Sequence, residues 1–232
     1  MIDPPPVMTP HATPFTDRTA AGHALARRLL QMRLTPPLVV FALPRGGVPV
    51  AAVIARALDA PLDLLIVRKI GLPWQPELAV AALVDGDPPD LVVDHDVQRL
   101  YGVTRADIDA QARREFAEIA RRRGLYLDGR APLPVTGATA VVVDDGIATG
   151  TTMRAALRAL RRRGPARLVL AVPVAPSDTL ERLRHEVDDV VCLASPEPFR
   201  AVGLHYVDFH QVGDAEVLAA LAAPDTAGAE PD

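Results

Sequence analysis

The sequence predicts an α/β domain with a central, mostly parallel five-stranded sheet and helices on both of its faces. Five runs of strand length are mainly apolar and alternate with segments of helical periodicity; these runs span 38–43, 62–67, 138–145, 167–174 and 189–194. Strands that are apolar throughout are typical of parallel sheets covered on both faces. The length of 232 residues, 49% of them hydrophobic, suits one such domain.

The chain is predicted to fold as a single domain over residues 15–221. A loose, proline-rich segment at 1–14 precedes this domain, and a disordered, low-complexity tail at 222–232 follows it. The first helix is expected within 15–33, with Thr16 or Asp17 as its N-cap.

A helical insertion is predicted at 95–123, between the second and third apolar runs. Its charged helix is expected to begin after the capping residue Thr104 and to end at Gly124. Two weaker strand candidates, 79–84 and 91–93, precede it.

Composition excludes several classes of function. The net charge is -4 and aromatic residues make up 4% of the chain, which argues against a nucleic-acid partner. No apolar run approaches the roughly 20 residues that span a membrane, and the N-terminus lacks the pattern of a secretory signal. The single cysteine, Cys192, cannot form an internal disulfide, so we expect a cytoplasmic protein.

The third apolar run leads into a predicted phosphate cradle that two carboxylates precede. Thr149–Thr152 open a helix, whose N-terminal amides favour an anion, yet Asp144 and Asp145 stand just before them. Neither a Walker loop nor a dinucleotide fingerprint has this pattern. A ribose 5-phosphate satisfies both demands, because its phosphate suits the cradle and its hydroxyls suit the acids. The alternative is that these acids merely cap the next helix.

Two further loops follow apolar runs. PRGG (44–47) follows the first run, and RKIG (68–71) follows the second. Ligands of parallel sheets bind beyond the carboxyl ends of the strands, so the three loops are expected to share one site. Taken alone, PRGG could equally be an ordinary strand-to-helix turn.

VVVDDGIATGTT (141–152) resembles the motif with which type I phosphoribosyltransferases bind 5-phosphoribosyl 1-diphosphate (PRPP). Its alanine before TG is most similar to the adenine phosphoribosyltransferases. PRGG resembles the diphosphate loop of this family, which often carries a cis peptide, and VRKIG resembles the strand end before its mobile catalytic loop. FTDRTAAGHALA, RKIGLPWQPELAV and FRAVGLHYVDF resemble a bacterial group of predicted phosphoribosyltransferases.

The resemblance implies the type I phosphoribosyltransferase fold, with a small hood from 15–33 and 195–212. It also implies that Asp144 and Asp145 hold the ribose hydroxyls and, indirectly through hydroxyls or water, the cofactor Mg2+. The remaining PRPP-binding residues carried over from the family are Ala148, Thr149, Gly150, Thr151 and Thr152 for the 5-phosphate, and Arg45, Gly46 and Gly47 for the diphosphate.

The resemblance assigns catalysis to Arg68 and Lys69, whose cations would stabilise the departing diphosphate. Lys69 is the one lysine among 25 Lys and Arg residues, which supports a need for a compact ammonium there. Closure of segment 71–77, which contains Trp74, would exclude water, and Glu77 is a candidate general base. A solvated strand end is the alternative for the two cations, and packing against the domain is the alternative for Trp74.

The predicted function is transfer of phosphoribose from PRPP to a nitrogenous base or another nucleophile, with release of diphosphate. This would be a glycosyltransferase of nucleotide salvage, and the resemblance implies a homodimer. Ala148 stands where 6-oxopurine enzymes carry an aspartate, which counts against hypoxanthine or guanine as acceptor. A PRPP-sensing regulatory protein of the same fold is the main alternative; a hydrolase or kinase of ribose phosphates has weaker support.

Aromatic and histidine residues near the C-terminus allow two interpretations. Phe199 or Tyr206 could stack on an acceptor ring, although such aromatics more often belong to the core. His205 and His210 would face opposite sides of a strand, so no metal site is predicted there.

Overall fold

The computed structural model describes residues 14–72, 74–86, 88–128 and 130–222, without the side chains of residues 76 and 77. Nearly all of the predicted loose segment and the predicted tail therefore lie outside the described residues. No helix in the described part of the chain combines the length and the apolar character that crossing a bilayer requires.

Strands and helices alternate over most of the described chain. The strands are β1 (Leu38–Ala42), β2 (Leu62–Leu64), β3 (Val67–Leu72), β4 (Gln75–Val84), β5 (Asp90–Val93), β6 (Thr139–Val143), β7 (Arg167–Val174) and β8 (Asp189–Ala194). The helices are α1 (Arg18–Gln31), α2 (Gly47–Ala57), α3 (His95–Tyr101), α4 (Arg105–Leu127), α5 (Thr151–Arg162), α6 (Ser177–Arg184) and α7 (Asp214–Ala222), with a 3-10 turn at Val202–His205.

The central sheet contains five parallel strands in the order β2-β1-β6-β7-β8. Each of the five predicted apolar runs supplies one of these strands, and the predicted fold class is confirmed. Because successive side chains of a strand point to opposite faces, each strand contributes to two cores. Val40 and Ala42 of β1 pack with α1 and α2, whereas Val39 and Phe41 pack with α5 and α6.

A separate antiparallel sheet has the order β3-β4-β5. The apolar run 62–67, predicted as one strand, is in fact divided between two sheets: β2 ends at Leu64, and β3 begins at Val67. RKIG is therefore part of a strand, not a loop. The predicted loop at 71–77 is also largely paired, since Gly71 lies opposite Ala79 and Leu72 opposite Gln75 in a hairpin.

The helical insertion forms α3 and α4 and packs against this second sheet. Thr104 caps α4 as predicted, in a capping box with Asp107. The predicted end at Gly124 is wrong, because α4 continues to Leu127. The last turn is stabilised by burial of Tyr126 and Leu127, and the Tyr126 hydroxyl donates a 2.6 Å hydrogen bond to Asp214 of α7.

The two segments of the predicted hood meet at the start of α1. Asp17 caps α1 by accepting a 2.7 Å hydrogen bond from the amide of Ala20. The body of α1 packs against α2, β7 and β8, so it covers a face of the central sheet. Phe15 forms a bridge with Tyr206, which brings the N-terminal end of α1 to segment 195–212.

Candidate active site

Two of the predicted ligand loops lie side by side because their strands are neighbours. β1 and β6 pair in parallel, with Ala42 opposite Val143. The amide of Leu43 donates to the carbonyl of Val143 at 3.0 Å, which continues the pairing beyond β1. PRGG after β1 and DDGIATG after β6 consequently meet at the carboxyl edge of the central sheet.

Gly46 and Gly47 bring the PRGG backbone against the two acids. A Cβ atom on Gly46 would overlap with the carboxylate of Asp145. A Cβ atom on Gly47 would lie 2.8 Å from the carbonyl oxygen of Val143 and 2.9 Å from Cα of Asp144. Gly46 has ordinary right-handed helical angles (φ -59°, ψ -37°), so its glycine is required by space and not by conformation.

Arg45 precedes these glycines at the edge of the loop. The Pro44–Arg45 peptide bond is cis, as is common in the family loop that PRGG resembles. The Arg45 guanidinium lies 3.5 Å from the carboxylate of Asp214 and is partly exposed. Its side chain therefore points toward α7, while its backbone remains part of the PRGG loop.

Asp144 and Asp145 form a tight acid pair in which one member has a cationic partner. The amide of Asp145 donates to Oδ1 of Asp144 at 2.9 Å. Nε of Arg18 donates to Oδ2 of Asp145 at 2.8 Å, and both side chains of this ion pair are largely buried. The guanidinium offsets one of the two negative charges, which would lower the electrostatic repulsion toward a phosphorylated sugar.

The pKa values of both acids are shifted upward. Burial raises the pKa of Asp144 well above its ordinary value, and the adjacent charge of Asp145 raises it further. Burial also raises the pKa of Asp145, although the hydrogen bond and charge of Arg18 oppose this rise. Two carboxylates that share one small site resist simultaneous ionisation.

The predicted phosphate cradle lies at the N-terminus of α5. Gly150 has a left-handed conformation (φ +76°), and a Cβ atom there would lie 2.8 Å from Cγ2 of Thr179. Among the described residues no side-chain hydrogen bond caps α5, so its first amides are available to a ligand. A polar pocket lies beside this helix start and is lined by Thr149, Gly150, Thr151, Arg154, Thr179, Arg182 and Leu183.

Ala148 and Thr152 flank this pocket without lining it. Ala148 is exposed, and its carbonyl accepts a 3.1 Å hydrogen bond from the hydroxyl of Thr179. Thr152 is half-buried in the first turn of α5. The hydrogen bond to Ala148 thus connects the loop to α6 beside the pocket.

The structure does not bring Arg68 and Lys69 together. They are consecutive residues of β3, so their side chains leave opposite faces of the second sheet. Nε of Arg68 donates to Glu115 of α4 at 2.6 Å. Lys69 is exposed and forms no ion pair with any described residue. Glu77 belongs to β4, and its side chain lies outside the described part of the structure.

A family model described as phosphoribosyl transferase domain matches residues 16–208. The chain belongs to this family. The matched range begins two residues before α1 and includes both loops of the candidate site. The coarser conclusion from the sequence, a phosphoribosyltransferase of glycosyltransferase type, is therefore supported.

The phosphoribosyltransferase chain also has named relatives. Two Mycobacterium tuberculosis proteins, from the strains CDC 1551 / Oshkosh and ATCC 25618 / H37Rv, are each called "Putative phosphoribosyl transferase". Each is 47% identical to this chain over 207 residues. The aligned residues cover 89% of this chain and 46% of the relative. The chain spans about half the length of these curated relatives. The crystal structure of TT1426 from Thermus thermophilus is similar with a TM-score of 0.79 and 39% identity, covering 90% of this chain and 98% of that one.

Several residues of this candidate site were not predicted from the sequence. Arg18 contacts the acid pair, and Arg154, Thr179 and Arg182 line the pocket at the start of α5. Arg154 had a detectable signal, because it lies one turn into the helix that the motif opens. Arg18 had none, since 127 positions separate it from Asp145.

The aromatic and histidine residues near the C-terminus have mainly packing roles. Phe199 stacks on His205, with ring centres 5.5 Å apart, and Tyr206 is buried. Both ring nitrogens of His210 contact carboxylates: Nδ1 lies 2.9 Å from Asp208, and Nε2 lies 2.8 Å from Glu216. Within the described residues no group of three or more His, Cys, Asp or Glu side chains could hold a metal ion.

A second group of buried charges fastens the antiparallel sheet and is separate from the acid pair. Asp63 of β2 accepts hydrogen bonds from the amides of Leu64 (2.9 Å) and Leu133 (2.8 Å). Arg123 of α4 pairs with Asp85, which follows β4, and also lies 3.8 Å from Asp63. Burial raises the pKa of Asp85 despite this arginine. These contacts join both sheets to α4, and we assign them a structural role.

Proposed function

We propose that this chain transfers phosphoribose from PRPP to a nitrogenous base or another nucleophile and releases diphosphate. The observation that carries the proposal is the packing of Gly46 against Asp145. It places a loop that resembles the diphosphate-binding loop in direct contact with a loop that resembles the ribose- and phosphate-binding motif. A single PRPP molecule has the three groups that such a pair of loops would contact.

In this proposal each part of PRPP has its own partners. The 5-phosphate binds the amides at the start of α5 and the hydroxyls of Thr149 and Thr151, because a helix N-terminus favours an anion; Ala148 and Thr152 lie beside this pocket. The ribose hydroxyls donate to Asp144 and Asp145, which accept well when ionised. The diphosphate binds the backbone of Arg45, Gly46 and Gly47, where the missing side chains allow close approach.

The acid pair also fits a magnesium ion that is held mainly by the substrate. Asp144 and Asp145 supply two carboxylates, and no third acidic, histidine or cysteine side chain joins them among the described residues. In phosphate sites Mg2+ is usually held by one or two carboxylates together with substrate oxygens and waters. When bound, the ion would offset the charge of the leaving diphosphate.

The chain's own residues would act on the leaving group and on water. Charge builds on the diphosphate as its bond to the anomeric carbon breaks, so cations placed there lower the barrier. Lys69 is exposed and available for this role, whereas Arg68 would first have to leave Glu115. Movement of the β3-β4 hairpin over the site would exclude water, and Glu77 on this hairpin remains the proposed general base.

The acceptor is proposed to be a base other than hypoxanthine or guanine, because Ala148 provides no carboxylate toward a purine ring. From the family resemblance we also propose that the chain forms a homodimer, is located in the cytoplasm and acts in nucleotide salvage. Sedimentation velocity of the purified chain tests the dimer.

The first test is calorimetric titration with PRPP, in the presence and absence of Mg2+. We expect Mg2+-dependent binding that is lost in the double variant Asp144→Asn/Asp145→Asn. A panel of acceptors would then be screened by diphosphate release. Absence of binding at millimolar PRPP would overturn the proposal. Binding without release for any acceptor would instead favour the PRPP-sensing alternative.

A further inference from the structure

Two stretches outside the PRPP motif converge on one of its aspartates. FTDRTAAGHALA (15–26) and FRAVGLHYVDF (199–209) are far apart in the sequence and have no assigned role in the proposed reaction. In the structure both reach Asp145. We use the name Asp145 collar for Arg18 and Tyr206, which contact Asp145, together with Phe209 and His210, which contact Arg18.

Arg18 is the centre of the Asp145 collar and is only 7% exposed. Its Nε donates to Oδ2 of Asp145 at 2.8 Å, and its NH1 donates to the carbonyl of His210 at 2.9 Å. The guanidinium carbon lies 4.0 Å from the centre of the Phe209 ring, a distance at which a cation and an aromatic face attract each other. The guanidinium is therefore fixed from three directions.

Tyr206 holds the backbone of the same aspartate. Its hydroxyl donates a 2.6 Å hydrogen bond to the carbonyl of Asp145. Its ring packs between Phe15 (ring centres 5.6 Å apart) and Phe209 (5.0 Å). The carboxylate and the carbonyl of Asp145 thus each have a separate buried partner.

Backbone hydrogen bonds between the two stretches determine where Arg18 lies. The amide of Phe15 donates to His205 at 2.9 Å, the amide of Val207 donates to Phe15 at 2.8 Å, and the amide of Asp208 donates to Thr16 at 2.9 Å. Arg18 begins α1 two residues later. The position of its side chain is therefore set by rigid elements, which favours precise placement of the group it contacts.

We propose that Arg18 is a positioning residue of the ribose site, which orients the Asp145 carboxylate and offsets one of the two adjacent negative charges. Arg18 contacts Oδ2, which leaves Oδ1 of Asp145 for a ribose hydroxyl. The guanidinium offsets one of the negative charges of the ionised acid pair beside the phosphate cradle, so a phosphorylated sugar meets less repulsion. This inference rests on the proposed binding of PRPP.

A purely structural tether would behave differently toward two small probes. Inorganic phosphate would occupy the cradle at α5 and make no contact with Asp145. Ribose 5-phosphate would add the hydroxyl contacts to Asp145 while lacking the diphosphate. A positioning role for Arg18 therefore predicts a selective loss of ribose 5-phosphate affinity, whereas a general loosening of the fold would weaken both probes.

The experiment compares Arg18→Gln, Arg18→Lys and the control Arg27→Gln, which changes an exposed arginine of the same helix. Affinities for phosphate and ribose 5-phosphate would be measured by calorimetry without Mg2+, and folding would be checked by thermal unfolding. We expect Arg18→Gln to weaken ribose 5-phosphate binding about 10- to 100-fold, the usual value of a hydrogen bond to a charged group, with phosphate binding unchanged. Arg27→Gln should resemble the wild type.

Arg18→Lys keeps the positive charge but lacks the planar guanidinium that contacts both Asp145 and the His210 carbonyl. Its affinity for ribose 5-phosphate should therefore lie between those of the wild type and Arg18→Gln. This variant decides the question if Arg18→Gln does not fold. Wild-type ribose 5-phosphate affinity in Arg18→Lys and in any folded Arg18→Gln would overturn the inference, as would an equal loss for both probes. If the wild type itself binds neither ribose 5-phosphate nor PRPP, the proposed function fails, and this inference fails with it.

Discussion

Gly46 and Asp145 are packed so closely that a methyl group on Gly46 would occupy the position of the Asp145 carboxylate. This relationship connects two loops that are about a hundred residues apart in the sequence. Since Gly46 has helical backbone angles that any residue can adopt, the contact itself is what requires glycine. Disrupting this contact should therefore affect ligand binding at the site more than it affects the backbone conformation of the loop.

Gly46→Ala is expected to lower PRPP affinity by at least about tenfold and to destabilise the protein by about 1–3 kcal/mol, the usual cost of overpacking. The added methyl group must displace Asp145, and with it Arg18. Calorimetry with PRPP and chemical denaturation measure the two effects.

Gly124→Ala is the matched control, because Gly124 is an exposed residue inside α4 and a Cβ atom there would contact nothing within 4 Å. Removing a glycine from a helix interior should stabilise the protein by about 0.8–1.0 kcal/mol and leave PRPP binding unchanged. Tight PRPP binding by Gly46→Ala would show that the two loops do not share a ligand.

Asp145→Asn is expected to weaken PRPP binding about 10- to 100-fold, since an amide is a poorer acceptor than a carboxylate for the ribose hydroxyls. The substitution also leaves Arg18 without its anion. Asp189→Asn therefore serves as a control, because it also removes the anionic partner of an arginine. Asp189 of β8 pairs with Arg167 of β7 at 2.7 Å, outside the candidate site. His205→Ala, which removes a ring stacked on Phe199, is a second control. Comparable losses in all three variants would contradict the site assignment.

The central sheet could be predicted from the sequence because parallel strands buried on both faces are apolar throughout, as VVFA and VVV of β1 and β6 are. The second sheet was harder to predict. Leu65 and Ile66 continue the apolar run of β2 into β3 without a polar residue between them, so no boundary is visible. Gly71 and the nearby prolines suggest a loop, whereas pairing with β4 makes the segment a hairpin.

The fold brings together the predicted site residues that follow β1 and β6. Asp144 to Thr152 share one loop and one helix start, and Arg45 to Gly47 join them because β1 and β6 are neighbours. Arg18 could not be predicted, because its contact depends on how α1 packs against the whole sheet. Arg68 and Lys69 were expected to act together, but a strand directs consecutive side chains to opposite faces.

Lys69→Ala is expected to lower the rate of diphosphate release about 100-fold while changing PRPP affinity much less, because the developing charge on the leaving group is greatest in the transition state. Arg68→Gln is the comparison, since Arg68 faces the other side of β3 and pairs with Glu115. Turnover would be measured with an acceptor found by screening, and affinity by calorimetry. If Lys69→Ala lowers only affinity, its role toward the leaving group is wrong; equal turnover losses in both variants would show that Arg68 also reaches the diphosphate.

His210 should make the protein more stable in mildly acidic solution than in alkaline solution. Hydrogen bonds that the His210 ring donates to Glu216 and then to Asp208 raise the pKa of His210 above its ordinary value, because they favour the protonated ring. A raised pKa in the folded state means that the stabilisation is fully present below the unfolded-state pKa of about 6.5 and disappears as the pH rises through the folded-state pKa. The effect is expected to be small, since the three groups are exposed to solvent.

NMR titration of the His210 ring measures this pKa directly, and Glu216→Gln should lower it because the largest stabilising contact is lost. Thermal unfolding between pH 5.5 and pH 9 should show a smaller fall in Tm for His210→Gln than for the wild type. His185→Gln provides the control, because His185 is exposed at the end of α6 and pairs with no carboxylate of the described residues. If Glu216→Gln leaves the His210 pKa unchanged, Glu216 does not contact this ring in solution, and the explanation for the raised pKa is wrong.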